Sequence, residues 1–194
     1  MDNLSIVTAI RHVISDFQAN PERFWNERDI HWSLFHYIKQ EETIKEDYPT
    51  ELIRAEFPTL NKFPKDRGHY DLVILNAKSA SKPEVQNMKA QAPWQDYLEL
   101  IEIDVAIEVK LWLSRLQIED RAGWDIQKLT EKPNNVQNAY FLNFVQFNSQ
   151  NKYMMTYYQQ LRNYLIAQKK NHKNLDILCV TSDPKIQSST ANWL

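Results

Sequence analysis

The stretch Ile101-Glu102-Ile103-Asp104-Val105-Ala106-Ile107-Glu108-Val109-Lys110 carries the clearest pattern in this chain of 194 residues. From Ile101 onward every second residue is β-branched and apolar, whereas the residues between them are mostly polar. Such alternation is typical of a β-strand, because successive side chains of a strand point to opposite faces. The sequence therefore predicts a strand over residues 98–110, and the rest of the fold is predicted around it.

The segments on either side of this strand supply further strands and helices. Apolar and β-favouring runs predict further strands over residues 52–57, 70–75, 139–147 and 175–181. Helical spacing of apolar residues predicts helices over residues 4–17, 117–131 and 154–169, and a further helix that begins at Pro21 or Asn26 and ends at Gln40. Residues 77–97 are polar and have no period, so they are predicted to be a structureless connection. This order predicts an α/β fold in which one mixed central β-sheet is flanked by helices on both faces.

Composition limits the classes of protein to which the chain can belong. Its 23 basic and 25 acidic side chains give a formal net charge of −2, so bulk charge favours neither a nucleic-acid nor a membrane partner. The single Cys179 excludes an intrachain disulfide framework and a cysteine-rich zinc site. Only two glycines occur, which excludes glycine-rich phosphate loops and dinucleotide fingerprints.

Length and hydropathy lead to expectations about domains and location. A chain of this length is expected to form a single domain over residues 1–194. It contains no run of about 18 apolar residues, so no membrane span is expected. The N-terminal segment lacks the basic and unbroken apolar regions of a signal peptide, so the expected location is cytoplasmic.

Three polar residues stand on predicted strands where apolar residues are the rule. Asp71 opens one strand, and Glu108 and Lys110 lie two residues apart on the next, so their side chains leave the same face. A buried carboxylate is unfavourable unless it is paired or binds a cation. Two carboxylates on neighbouring strands can share a hard divalent ion such as Mg²⁺, and a lysine beside them can orient a water or stabilise charge on a phosphate.

The pattern Asp71…Glu108-Val109-Lys110 resembles the D…(D/E)-x-K signature of the PD-(D/E)XK nuclease superfamily. This resemblance implies a restriction-endonuclease-like fold, with residues 22–181 as its core and residues 1–20 as an N-terminal helical addition. By the same resemblance Asp71, Glu108 and the carbonyl of Val109 would bind Mg²⁺, for which Mn²⁺ would substitute, and Lys110 would act on the attacking water and the scissile phosphate. The proline that the family prefers before the aspartate is replaced by Tyr70.

The activity implied by the resemblance is that of a metal-dependent endonuclease, with DNA as the expected substrate. Restriction, repair and mobile-element processing are the roles that such an enzyme would serve. A homodimer would suit an enzyme that must cut two strands, although the sequence shows no dimer surface.

Five further residues are predicted to lie at or near this site. Glu27 falls on the apolar stripe of its helix, and many superfamily members carry an acidic residue there that reaches the metal. Asp125 lies on the inner stripe of the helix that follows Lys110, with Lys128 one turn later. His69 would lie at the mouth of the site. Gln160 begins a sequence similar to the Q-x-x-x-Y motif of helicase-associated nucleases, but it lies about 50 residues from the position where that motif is expected.

Each of these signals has a simpler alternative. A strand with alternating Glu and Lys is ordinarily a solvated face, and Glu27 can serve only as a favourable charge at a helix N-terminus. His31 and His36, without a metal-binding spacing, are assigned to surface or core positions. Two alternatives to the enzyme stay open: a catalytically inactive module of the same fold that binds nucleic acid or protein, and an unrelated α/β protein in which the match to the signature is coincidental.

Overall fold

The computed structural model describes residues 4–40, 52–62, 67–91, 98–112, 118–132, 134, 136–147, 153–183 and 186. The strands in these ranges are Ile53–Lys62 (β1), Arg67–Leu75 (β2), Ile103–Trp112 (β3), Val136–Val145 (β4) and Leu175–Thr181 (β5). The α-helices are Leu4–Ala19 (α1), Glu27–Gln40 (α2), Ala77–Ala80 (α3), Pro83–Gln91 (α4), Ile118–Thr130 (α5) and Met154–Asn171 (α6). The predicted α/β class is confirmed: the fold is a mixed sheet flanked by helices.

The sheet has five strands in the order β1-β2-β3-β4-β5. Its first three strands pair antiparallel, while β4 lies parallel to β3 and β5 lies parallel to β4. Parallel neighbours need a crossover, and α5 and α6 supply the two crossovers from β3 to β4 and from β4 to β5. Because such crossovers are right-handed, both helices cover the same face of the sheet.

The opposite face is covered by α1 and α2. Phe17 of α1 packs edge-on against Phe144 of β4, with ring centroids 5.1 Å apart. The Tyr37 hydroxyl of α2 donates a hydrogen bond to Asp16 Oδ2 of α1 at 2.6 Å. The inward residues of α1 are fully buried and belong to the same hydrophobic cluster as those of β3.

Three predictions about the elements were wrong. The central strand was expected over residues 98–110, but Leu98–Leu100 form a 3₁₀-helix and the strand begins at Ile103. Pro58 was expected to end the first strand, yet β1 continues through it to Lys62. The continuation is possible because β1 is an edge strand, where proline is tolerated. Residues 77–97 were expected to lack structure, but α3 and α4 lie within them. Asn76 caps α3 by accepting a hydrogen bond from the Ser79 N–H at 3.0 Å, and Pro83 begins α4 at the first helical position.

Within the described ranges, no helix combines the length and the apolar character that crossing a lipid bilayer requires.

The buried position of Phe17 gives a test of how α1 is attached. We expect Phe17→Ala to lower the free energy of unfolding by about 3–5 kcal/mol, because it removes a fully buried ring that contacts β4. Phe17→Leu, which keeps most of the volume, should cost less than about 1.5 kcal/mol. Urea denaturation followed by circular dichroism measures both, and equal small losses would show that α1 lies outside the core.

Candidate functional site

The candidate site lies where β2 separates from β3. The hydrogen-bonded pairing of these strands ends at Leu72 and Ile107, although β2 itself begins at Arg67. Asp71 and Glu108 are the next residues on each strand, so the antiparallel register brings them level with each other. Beyond this point a side chain of β2, and not its backbone, pairs with β3: Asp71 Oδ2 accepts a hydrogen bond from the Val109 N–H at 2.6 Å. The predicted convergence of Asp71 and Glu108 is thus present.

Both faces of β3 are covered, so the solvated-face alternative does not hold. All of its residues are buried except Lys110, which is half-buried. Glu108 is 0% exposed. Its Oε2 lies 2.9 Å from the Lys128 ammonium nitrogen. The Lys128 ammonium is thus the partner of Oε2, whereas Oε1 has no hydrogen-bond partner among the residues that the structure describes.

Asp125 of α5 joins the two lysines of the site. Its Oδ2 lies 3.0 Å from the Nζ atom of Lys110, and its Oδ1 lies 2.8 Å from the Nζ atom of Lys128. Lys110 also lies 3.5 Å from Glu27 Oε2. The lysines therefore lie between carboxylates, and an alternating chain of charges runs from Glu27 on α2 to Glu108 on β3.

The C-terminal end of α5 is held in place by hydrogen bonds from side chains to backbone carbonyls. The Lys128 carbonyl accepts from the Tyr70 hydroxyl at 3.0 Å and from Asn134 Nδ2 at 2.9 Å. The Lys128 ammonium donates to the His69 carbonyl at 3.0 Å. Tyr70 stands immediately before Asp71, is fully buried and attaches α5 to β2 through this hydrogen bond. This attachment fixes where Asp125 and Lys128 meet β3.

His31 is a residue near the site that sequence reasoning had assigned to the surface or the core. It follows Glu27 by one helical turn on α2, so both side chains lie on the same side of the helix. The His31 ring is buried, and its Nε2 has no hydrogen-bond partner among the described residues. The contribution of His31 to the pKa of Asp71 is downward and is smaller than those of burial, the Val109 N–H and the two lysines. The spacing from Glu27 was the signal in the sequence.

The carboxylates of the site carry a strong cost of burial. Burial raises the pKa of Glu108 well above its usual range, and the neighbouring Asp71 carboxylate raises it further. Burial also raises the pKa of Asp71, although the Val109 N–H opposes this shift by hydrogen bonding to the carboxylate. Both acids thus gain from a nearby positive charge.

The two lysines show the opposite balance. Burial lowers the pKa of Lys110, but Asp125 and Glu27 outweigh this effect, and the net shift is upward. Burial likewise lowers the pKa of Lys128, and the carboxylates of Glu108 and Asp125 again raise it above the usual value. Both side chains are therefore ammonium ions at neutral pH.

The charges of the cluster do not balance when every group is ionised. Among the described residues, two lysines form ion pairs with these acids, and the acids number four: Asp71, Glu108, Asp125 and Glu27. Two negative charges are left over, which is the charge of one divalent cation. Asp71 is the one acid of the four for which no ion pair is present among the described residues, and Glu108 shares Lys128 with Asp125.

The donor atoms fit a hard cation that keeps part of its hydration. Within the described residues, no three His, Cys, Asp or Glu side chains form a ready-made metal cage. Mg²⁺ does not need such a cage, since it is usually bound by one or two carboxylates together with water and substrate phosphate. Asp71 and Glu108 supply two carboxylates, and Glu108 Oε1 is a donor atom that no described residue of the protein contacts by hydrogen bonding.

Two of the predicted residues do not take the expected part. The His69 side chain is exposed, and its contribution to the cluster is its backbone carbonyl rather than its imidazole. Gln160 is exposed on α6, and no contact recorded for the described part of the chain joins it to the cluster. The Q-x-x-x-Y match is therefore wrong as a site prediction, because Gln160 lies on the outer side of its helix.

The chain was compared with protein-family models, with curated protein sequences and with solved structures, and none of the three comparisons returned a match. The geometry of the site is therefore the basis for the function proposed below.

The raised pKa of Glu108 predicts how stability depends on pH without metal. A raised folded-state pKa gives stability that is present in acid and is lost as the pH rises through that pKa. In EDTA, Glu108→Gln should therefore be more stable than the parent at neutral pH by about 1 kcal/mol or more, with the difference shrinking towards acid pH. Urea denaturation over a pH series measures this difference.

The exposed Glu99 provides the matched control, and Glu99→Gln should leave the free energy of unfolding within about 0.5 kcal/mol of the parent. A Glu108→Gln protein less stable than the parent at neutral pH would mean that the ion pair with Lys128 outweighs the cost of burying the carboxylate.

Proposed function

We propose that this protein is a divalent-metal-dependent nuclease of restriction-endonuclease-like fold, hydrolysing phosphodiester bonds with DNA as the expected substrate. The observation that carries the proposal is the carboxylate of Glu108, fully buried beside Asp71, whose Oε1 has no hydrogen-bond partner among the described residues. Lysines stand next to it, which is the complement that phosphate chemistry needs.

A purely structural role accounts poorly for this cluster. Replacing a buried ion pair by apolar residues is often neutral or stabilising, so buried charge is weak support for stability alone. Here the charges do not even balance, and the folded chain retains two acids whose ionised forms are disfavoured by burial. Uncompensated charge of this kind is characteristic of sites that bind or react.

The residues divide the chemical work among them. Asp71, Glu108 and the Val109 carbonyl would hold the metal ion, with the carboxylate oxygens of Glu108 as the clearest donors. When bound, such an ion neutralises charge on a phosphate and makes a water molecule more acidic. Lys110 is a cation and not a base, because neighbouring carboxylates keep its pKa raised. Its ammonium donates hydrogen bonds to a phosphate oxygen or to the attacking water and stabilises the negative charge that develops.

The remaining residues position these groups. Asp125 and Glu27 hold the Lys110 ammonium from two sides, at 3.0 Å and 3.5 Å. Lys128 lies against Glu108 and occupies the side of that carboxylate that faces α5. Asp125 is thus a positioning residue, since it acts through the two lysines and not through the substrate.

The inactive module of the same fold is the second candidate. It is favoured by one observation, namely that both ammonium groups already have carboxylate partners in the folded chain. In that case the cluster would be a closed ion-pair network without a metal. Metal binding separates the two candidates. The homodimer and the cytoplasmic location stay predictions.

Metal binding is the first test. Mg²⁺ or Mn²⁺ at about 100 times its Kd should stabilise the folded chain by about 2.7 kcal/mol, and the Tm should rise by roughly 5–10 °C. Asp71→Asn should abolish most of this rise, because it removes a charged ligand. Thermal melts in EDTA and in each metal measure the rise in Tm. Ca²⁺ is included as a further ion that prefers oxygen ligands. An unchanged Tm in every metal rules out the proposed site.

Cleavage is the second test, and it separates binding from chemistry. Lys110→Met should lower the rate of Mn²⁺-dependent DNA cleavage by about 10²–10³-fold while the metal-induced rise in Tm persists. Lys170→Met, which removes an exposed lysine at the end of α6, is the control and should cut at the parental rate. Gel assays on plasmid, single-stranded DNA and RNA provide the measurement. Metal binding without cleavage of any of these substrates would favour the inactive module.

A further inference from the structure

One side of α2 carries a row of cationic and aromatic side chains, of which Arg28 and Trp32 are exposed and Phe35 and Lys39 are half-buried. Arg28, Trp32, Phe35 and Lys39 follow one another at spacings of four, three and four residues, so they lie along one side of the helix. We call these four residues the basic–aromatic stripe. At 1.5 Å of rise per residue the stripe is about 16 Å long.

The side chains of the stripe contact one another in an ordered way. The rings of Trp32 and Phe35 meet edge to face, with centroids 5.7 Å apart and planes at 90°. The Lys39 ammonium lies 4.4 Å from the centroid of the Phe35 ring, which is cation–π geometry. The indole of Trp32 stays 58% exposed even though it also stacks on the His31 ring at 5.8 Å. Two ring contacts therefore fix the indole while much of its surface stays exposed to solvent.

Charge on the stripe has one sign. Arg28 is exposed and forms no ion pair with any residue that the structure describes. The nearby Asp29 carboxylate is turned towards the start of α2, where its Oδ2 accepts hydrogen bonds from the N–H groups of Trp25 and Asn26, at 2.7 Å and 3.1 Å. The stripe thus carries two cations and no acid.

The stripe is continuous with the candidate site. Glu27 and His31 precede Arg28 and Trp32 by one residue each, so the stripe runs beside the side of α2 that faces the site. Trp25, which is 79% exposed, lies two residues before Glu27. Its indole is fixed by a hydrogen bond from Nε1 to the Glu22 carbonyl at 2.8 Å.

We propose that Trp25 and the basic–aromatic stripe bind an unpaired nucleic-acid strand and lead it to the candidate site, with bases stacked on Trp25 and Trp32. Arg28 and Lys39 pair with the phosphates of that strand. This inference rests on the proposed nuclease function and specifies its substrate as single-stranded nucleic acid or an unpaired end. Aromatic platforms interleaved with cations are how proteins bind single strands without strong sequence preference.

Stacking decides between the possible occupants. A base can stack on an indole only when its face is free, and in a duplex the base faces are covered by neighbouring pairs. Lysine is depleted at protein–protein interfaces, whereas here Lys39 lies over the Phe35 ring of the stripe. A protein partner or a second copy of this chain is therefore the less favoured occupant.

The test measures strand binding without cleavage, by fluorescence anisotropy in EDTA. The probes are a labelled oligothymidylate and the same strand annealed to its complement. The parent protein should bind the single strand more tightly than the duplex, and binding should quench tryptophan fluorescence.

Trp32→Ala and Trp25→Ala should each weaken single-strand binding by roughly 5- to 150-fold. Trp32→Phe, which keeps an aromatic face, should stay within about 5-fold of the parent. Arg28→Met should reduce the salt dependence of binding by about one phosphate contact.

Each result bears on one proposal at a time. Both alanine variants should keep the metal-induced rise in Tm, because neither replaces a metal-site residue. Single-strand affinity that is unchanged in both variants overturns the inference, as does an equal or greater affinity for duplex, and either leaves metal-dependent cleavage standing. The inference is also overturned if either alanine variant sediments as a smaller species than the parent while its strand affinity is unchanged. The exposed rings would then join copies of the chain. Loss of strand affinity in a protein that never cleaves supports the strand site and overturns the nuclease.

Discussion

The constraint on which the site depends is an excess of negative charge held between two strands that part. The β2–β3 pairing ends at Leu72 and Ile107, which are the neighbours of Asp71 and Glu108. The Asp71 side chain joins the separated strands by accepting a hydrogen bond from the Val109 N–H. That bond fixes one acid, while Glu108 is fully buried and its Oε1 has no hydrogen-bond donor among the described residues. Desolvation makes such a pair favour its protonated form unless positive charge is supplied. The surrounding elements are arranged around that requirement.

The helices bring in part of the missing charge and set its geometry. Asp125 is the centre of the arrangement, because one carboxylate holds the ammonium groups of Lys110 and Lys128 at 3.0 Å and 2.8 Å. Its position depends on α5, whose last turn is fastened by the Tyr70 hydroxyl and by Asn134. A small displacement of that turn would move both cations at once. The site therefore couples the packing of a crossover helix to the electrostatics of a strand.

The proposed substrate path follows from the same helix that completes the site. One side of α2 directs Glu27 and His31 towards the parted strands, and the adjacent side presents Trp32 with its basic neighbours to solvent. Because the two sides are neighbours on one helix, a strand bound along the outer side lies beside the acids of the inner side. The near-neutral net charge of the chain is compatible with this arrangement, since attraction to phosphate needs only local cations.

The sequence by itself determined the α/β class, the central strand and the Asp71, Glu108 and Lys110 set, because alternation and residue spacing are local properties of the chain. It did not determine that β1 continues through Pro58, since this depends on β1 being an edge strand. Only the tertiary structure decided that Lys110 pairs with Asp125 and Glu27 while Lys128 approaches Glu108, and that the His31 ring is buried. These contacts join residues from separate elements, and their energies depend on burial and distance, which no local pattern of residues records.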